Sequence, residues 1–112
     1  MTTAYSFANY EDCCHKNHLP RPKVIFPMYG LDWNIKALQE DKGLAVFSIV
    51  GRDDEFGFAN VEDKLPELEK VLGKENVSVR IVDGLEHGFG IGNETKVKNW
   101  LQEAVIFWEA HR

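Results

Sequence analysis

The sequence predicts an α/β protein built on a parallel sheet, and three observations carry that prediction. Extended apolar runs alternate with helical periodicities in the order strand, helix, strand, helix, strand, helix, which is the rhythm of βαβ crossovers. The run Leu44-Ala-Val-Phe-Ser-Ile-Val50 is almost continuously apolar, as expected of a strand covered on both faces. Two later segments repeat apolar residues at a spacing near 3.6 and suit helices that pack on such a sheet.

Residues from Ala4 to Lys16 signal a short helix only weakly. Leu19-Pro20-Arg21-Pro22 then breaks the chain, because neither proline nor its preceding residue favours helix. Val24-Ile-Phe-Pro-Met-Tyr29 reads as the first strand, closed by Gly30. Pro27 cannot donate to a ladder, so this strand should keep at least one side unpaired. Leu31 to Glu40 allows one or two helical turns, with Ile35 and Leu38 facing inward. Asp41-Lys42-Gly43 supplies the turn into the second strand.

Val61, Leu65, Leu68, Val71 and Leu72 recur at helical spacing, and Gly73 is placed to end that helix. Pro66 should sit in its first turn or kink it. Asn76-Val-Ser-Val-Arg-Ile-Val82 alternates polar with apolar residues, so the third strand should be less buried than the second. Val97, Trp100, Leu101, Ala104, Val105 and Trp108 trace a final helix with a wide apolar face.

The chain of 112 residues has the size of one domain, 1–112, with no internal repeat or linker. A net charge of −5, with Lys and Arg scattered among Asp and Glu, argues against nucleic acid as a partner. The first residues have no basic stretch followed by an apolar one, and no apolar run approaches the ~20 residues of a membrane span. Cys13 and Cys14 are adjacent, a spacing that rarely permits a disulfide. Reduced thiols and a cytoplasmic setting are the expectation.

Two loops carry the chemistry. Gly51-Arg-Asp-Asp-Glu-Phe56 follows the central strand, and Leu85-Glu-His-Gly-Phe-Gly-Ile-Gly92 follows the third. A carboxylate at the carboxyl end of a parallel strand lies where open α/β sheets collect their sites. Held inward, it would accept the Nδ1–H of a histidine and stabilise the imidazolium. Asp54 and His87 are the candidates, each on a loop at the same edge of adjacent strands. The glycines around His87 let the backbone turn sharply about one side chain.

Other motifs are weaker. Gly88, Gly90 and Gly92 follow a strand, but a dinucleotide fingerprint needs glycine at position 93, where Asn stands. Cys13, Cys14, His15 and His18 match no usual zinc spacing. No metal or cofactor is expected. The serines are Ser6, Ser48 and Ser78, and none lies in a G-x-S-x-G turn. Ser48 and Ser78 fall inside strands and could not project toward His87. Thr2, Thr3 and Thr95 have no better setting.

In these residues the chain resembles the C-terminal part of an α/β-hydrolase of the esterase/lipase type, close to the small carboxylesterase and acetyl-xylan-esterase-like branches. Pro22-Lys-Val-Ile-Phe-Pro-Met-Tyr29 is similar to the strand after the nucleophile helix. Val46-Phe-Ser-Ile-Val-Gly-Arg-Asp-Asp54 resembles the strand and turn of the catalytic acid. Gly84-Leu-Glu-His-Gly-Phe-Gly90 resembles the histidine loop, and the last helix fits with Asn99-Trp-Leu101 and Phe107-Trp108. The resemblance covers residues 20 to 112.

It implies a three-layer α/β/α unit with about three parallel strands in sequential order, the connecting helices on one face and the final helix on the other. It implies Asp54 as the acid and His87 as the general base, with Asp53 a neighbour of undefined role. The family's first strands, oxyanion loop and nucleophile elbow would lie before Met1, and the substrate-capping insertion between Tyr29 and Val46 is cut down. The expectation is a truncated carboxylic-ester hydrolase, inactive alone, whose small ester substrate is engaged only when an N-terminal hydrolase segment completes it in trans. The alternative is a non-enzymatic assembly module. In either case the open Val24–Met28 edge should recruit a second copy into a homodimer.

Overall fold

A computed structural model describes residues 15–18, 22–27, 35, 43–55, 58–87 and 97–112. Three strands, β1 (Val24–Ile25), β2 (Ala45–Gly51) and β3 (Val77–Val82), form one parallel sheet in the order β1-β2-β3. Two helices accompany them, α1 (Phe58–Leu72) and α2 (Trp100–His111), with short 3-10 turns at His15–Asn17 and Lys74–Asn76. The chain is a mixed α/β protein. Among the described residues no helix is long and apolar enough to cross a membrane.

The apolar run of β2 takes the centre, and every one of its residues is buried. Its alternate side chains serve two cores, because successive strand residues point to opposite faces. Val46 and Val50 join Ile25, Ile35, Leu44, Val61, Leu68 and Leu72 on the α1 face. Phe47 and Ile49 join Leu85, Val97 and Ala104 on the α2 face, flanked by Phe26, Val82, Trp100 and Phe107. A helix therefore covers each face. The helix expected over Leu31 to Glu40 lies outside the described residues apart from Ile35, which packs on the α1 side.

β3 keeps its alternation. Val77, Val79 and Ile81 pack toward α1, and Arg80 reaches the α2 side, donating from its guanidinium to both Glu103 carboxylate oxygens at 3.0 and 2.9 Å. All six of its residues are only partly buried, as the pattern predicts. β1 pairs with β2 alone, so its other edge has no ladder partner among the described strands, and Pro27 follows one residue past its end, after Phe26. Met28 lies outside the described residues.

Element boundaries differ from the sequence reading. β1 stops at Ile25, short of the expected Val24–Tyr29: Phe26 and Pro27 lie past its end, and Met28 and Tyr29 lie outside the described residues. α1 begins at Phe58 rather than Val61, which places Pro66 in the helix interior, at an exposed position, and not in the first turn. Solvent can hydrogen-bond the carbonyl that a proline nitrogen leaves without a donor. Gly73 ends α1 as expected: at φ 92° it donates its N–H to the Glu69 carbonyl at 2.8 Å, and Asn76 Nδ2 donates to the Leu72 carbonyl at 2.8 Å. α2 begins at Trp100, after Asn99, whose carbonyl accepts from the Glu103 N–H at 3.0 Å. Val97 is buried ahead of the helix, in a turn.

The apolar face of α2 is only partly covered. Trp100, Ala104 and Phe107 meet the sheet. Leu101, Val105 and Trp108, which share the predicted face, remain exposed together with Ile106. The sheet is too narrow to span the whole face. Leu101, Val105 and Trp108 line an apolar groove of about 410 Å³ together with Trp100, Ala104 and Phe26, the residue after β1.

Candidate functional site: an aspartate–histidine pair at the sheet rim

The site is assembled where β2 and β3 end. Gly51 stands opposite Val82 in the last rung of their ladder. The two chains do not separate there. Arg52 N–H donates to the Val82 carbonyl at 2.9 Å, extending the ladder by one bond. β3 then turns through Asp83 and Gly84, the latter at φ 70°, a left-handed value that glycine adopts without strain. The turn returns the chain toward β2, where Asp53 N–H donates to the Leu85 carbonyl at 3.1 Å. Leu85 buries its side chain in the α2-side core and anchors the loop. At the loop surface the Arg52 guanidinium pairs with the Asp83 carboxylate.

These ties bring the two predicted residues together. Asp54 is buried, with 3% of its surface exposed, and Asp54 N–H closes a tight turn to the Gly51 carbonyl at 3.2 Å. His87 Nδ1 lies 2.9 Å from Asp54 Oδ2. Toward an ionised carboxylate, which only accepts, Nδ1–H is the donor of this hydrogen bond. The imidazole is about half exposed. The buried member of the acidic turn is Asp54. Asp53 and Glu55 are exposed, and with Glu86 and His87 they line an open pocket of about 270 Å³. A carboxylate that holds Nδ1–H fixes the tautomer in which Nε2 is the basic atom, and a positive charge formed on the ring would be stabilised by Asp54.

The remaining candidates do not join this pair. Ser48 is fully buried within β2, and its hydroxyl has no hydrogen-bond partner among the described residues. Ser78 lies in β3 opposite Phe47, well before the strand end. Ser6, Cys13, Cys14, Thr2, Thr3, Thr95 and the glycines Gly88, Gly90 and Gly92 lie outside the described residues. Among the described residues no group of three His, Cys, Asp or Glu side chains is placed to hold a metal ion.

The sequence reading singled out both members of the pair but not the residues that seat them, Gly51 and Leu85. A glycine at the last position of a buried strand, just before the acidic turn, was the available signal. No family model, curated protein or solved structure matches this chain.

Proposed function

We propose that this chain provides the acid and the histidine of a Ser-His-Asp relay in a carboxylic-ester hydrolase, with the nucleophile on another segment. The unit would then be a truncated α/β-hydrolase fold of the esterase/lipase, acetyl-xylan-esterase-like type, in a cytoplasmic setting. One observation carries the reading: a buried aspartate accepts Nδ1–H from a half-exposed histidine, and both stand at the carboxyl rim of a parallel sheet. In the relay, Asp54 orients the ring and steadies its charge. His87 takes the proton of the attacking hydroxyl and returns it to the leaving alcohol.

The test joins this chain to any upstream reading frame that encodes a G-x-S-x-G turn. The joined protein should hydrolyse short-chain p-nitrophenyl esters. His87→Ala should lower kcat by about 10⁴-fold or more, because members of a relay act as a unit. The 112 residues alone should be nearly inert. Equal turnover with and without His87, or no such frame upstream, would overturn the proposal.

A second reading has its own support. The open β1 edge and the uncovered apolar side of α2 both suit burial by a second copy of this chain. On this reading the chain is an assembly module that forms a homodimer through the Val24–Met28 edge. Sedimentation at tens of micromolar, about the range where such association matters, should then give a dimer. A stable monomer would count against it. The two readings compete for one surface, since an N-terminal hydrolase segment would add its strands at the same edge.

A further inference from the structure

The Asp54–His87 pair depends on how closely the backbone of the third-strand loop approaches the end of the second strand. A Cβ built on Gly51 would lie 1.9 Å from the Leu85 carbonyl oxygen, 2.5 Å from its carbonyl carbon and 2.9 Å from Leu85 Cβ. Contacts under about 3 Å with backbone atoms cannot be relieved by rotating a side chain. Gly51 has no positive φ, so its lack of a side chain, and not its conformational freedom, is what this position uses.

The Leu85 carbonyl has little freedom to retreat. Its oxygen accepts from Asp53 N–H at 3.1 Å, and its own side chain is 4% exposed in the α2-side core. His87 follows two residues later on the same strand of chain, and Asp54 follows one residue after Asp53. A shift of the Leu85 carbonyl large enough to admit a methyl group is about an ångström or more, comparable to the tolerance of a 2.9 Å hydrogen bond.

We infer that Gly51 and Leu85 are positioning residues: the side-chain-free seam between the β2 end and the Leu85 carbonyl sets His87 Nδ1 on Asp54. The inference rests on the relay reading only for its consequence in catalysis. The seam itself is a statement about the geometry of the pair. Gly51 acts by the volume it leaves empty, and Leu85 acts by holding its carbonyl in that volume.

The experiment reads the imidazole directly. Proton NMR of the whole chain should show a slowly exchanging, downfield Nδ1 proton of His87, identified by its absence in His87→Gln. In Gly51→Ala that signal should be lost, while the core resonances of Phe47 and Leu68 persist. A retained His87 signal in folded Gly51→Ala overturns the inference. Amide exchange on the unmodified chain is the second measurement and needs no variant. Asp53 N–H should exchange at least tenfold more slowly than an open chain, because it is sealed against Leu85. Exchange at the open-chain rate would overturn the inference even if Gly51→Ala failed to fold. If the Nδ1 signal behaves as expected and the joined protein still shows no ester turnover, the relay reading fails and the positioning role stands.

Discussion

The two faces of the sheet are held by different physics. On the α1 face, Val46 and Val50 meet Val61, Leu68 and Leu72 in a dry core with eight buried apolar side chains. On the α2 face, the contacts among the described residues are aromatic and directional. Phe47 packs between Phe26 and Phe107, with ring centroids 6.0 and 5.7 Å apart. Arg80 clasps Glu103, and His111 bridges two carbonyls, Phe107 through Nδ1 and Glu75 through Nε2, each at 2.7 Å. α1 buries Val61, Leu68 and Leu72 against the sheet. α2 leaves Leu101 60% and Ile106 62% exposed. A helix that is apolar on more than one side is built for more cover than one narrow sheet gives.

This contrast can be broken or sharpened by substitution. The largest effect should come from the sealed face. Leu68→Ala removes a side chain with no exposure and should lower unfolding free energy by about 2–5 kcal/mol, read from urea titration. A loss below about 1 kcal/mol would mean that this face is looser than it looks. His111→Ala should cost less, about 1–3 kcal/mol by the same titration, because it deletes the contact to the Glu75 carbonyl that ties α2 to the turn before β3, together with one to the Phe107 carbonyl inside α2. Trp fluorescence should report the loosening of α2 in that variant.

Ser48→Ala should act in the opposite direction. The Ser48 hydroxyl is buried at the middle of the sheet without a partner among the described residues, so removing it should raise stability by about 1 kcal/mol. A loss of stability instead would reveal a partner for that hydroxyl. The smallest effect on the isolated fold belongs to the uncovered side of α2. Leu101→Lys combined with Ile106→Lys should change unfolding free energy by within about 0.5 kcal/mol per site. The same double variant should abolish any self-association seen by sedimentation. Association that survives it would move the interface away from α2.

Much of the architecture was legible because it rests on periodicity. The nearly continuous apolar run of 44–50 foretold a strand covered on both faces, and the alternation that begins at Asn76 foretold a less buried neighbour. The end of α1 was legible from Gly73, whose φ of 92° few other residues adopt easily. Of the two places expected for Pro66, the first turn is not the one it takes: it stands in the helix interior, where an exposed position tolerates the one hydrogen bond that a proline forbids. The wide apolar face of α2 was visible as a pattern, but pattern alone cannot say how much of a face its neighbours reach.

By itself the sequence determined which residues alternate and where the chain must turn, and it nominated Asp54 and His87 by their places after two strands. These are local properties, fixed by side-chain volume, polarity and backbone freedom within a few residues. Only the tertiary structure decided that Asp54 and not Asp53 turns inward, that 33 residues of separation close to a 2.9 Å contact, and that Gly51 must stay bare for Leu85. Those outcomes depend on two strands ending in register and on one carbonyl passing over one α-carbon, relations between distant segments that no local pattern encodes.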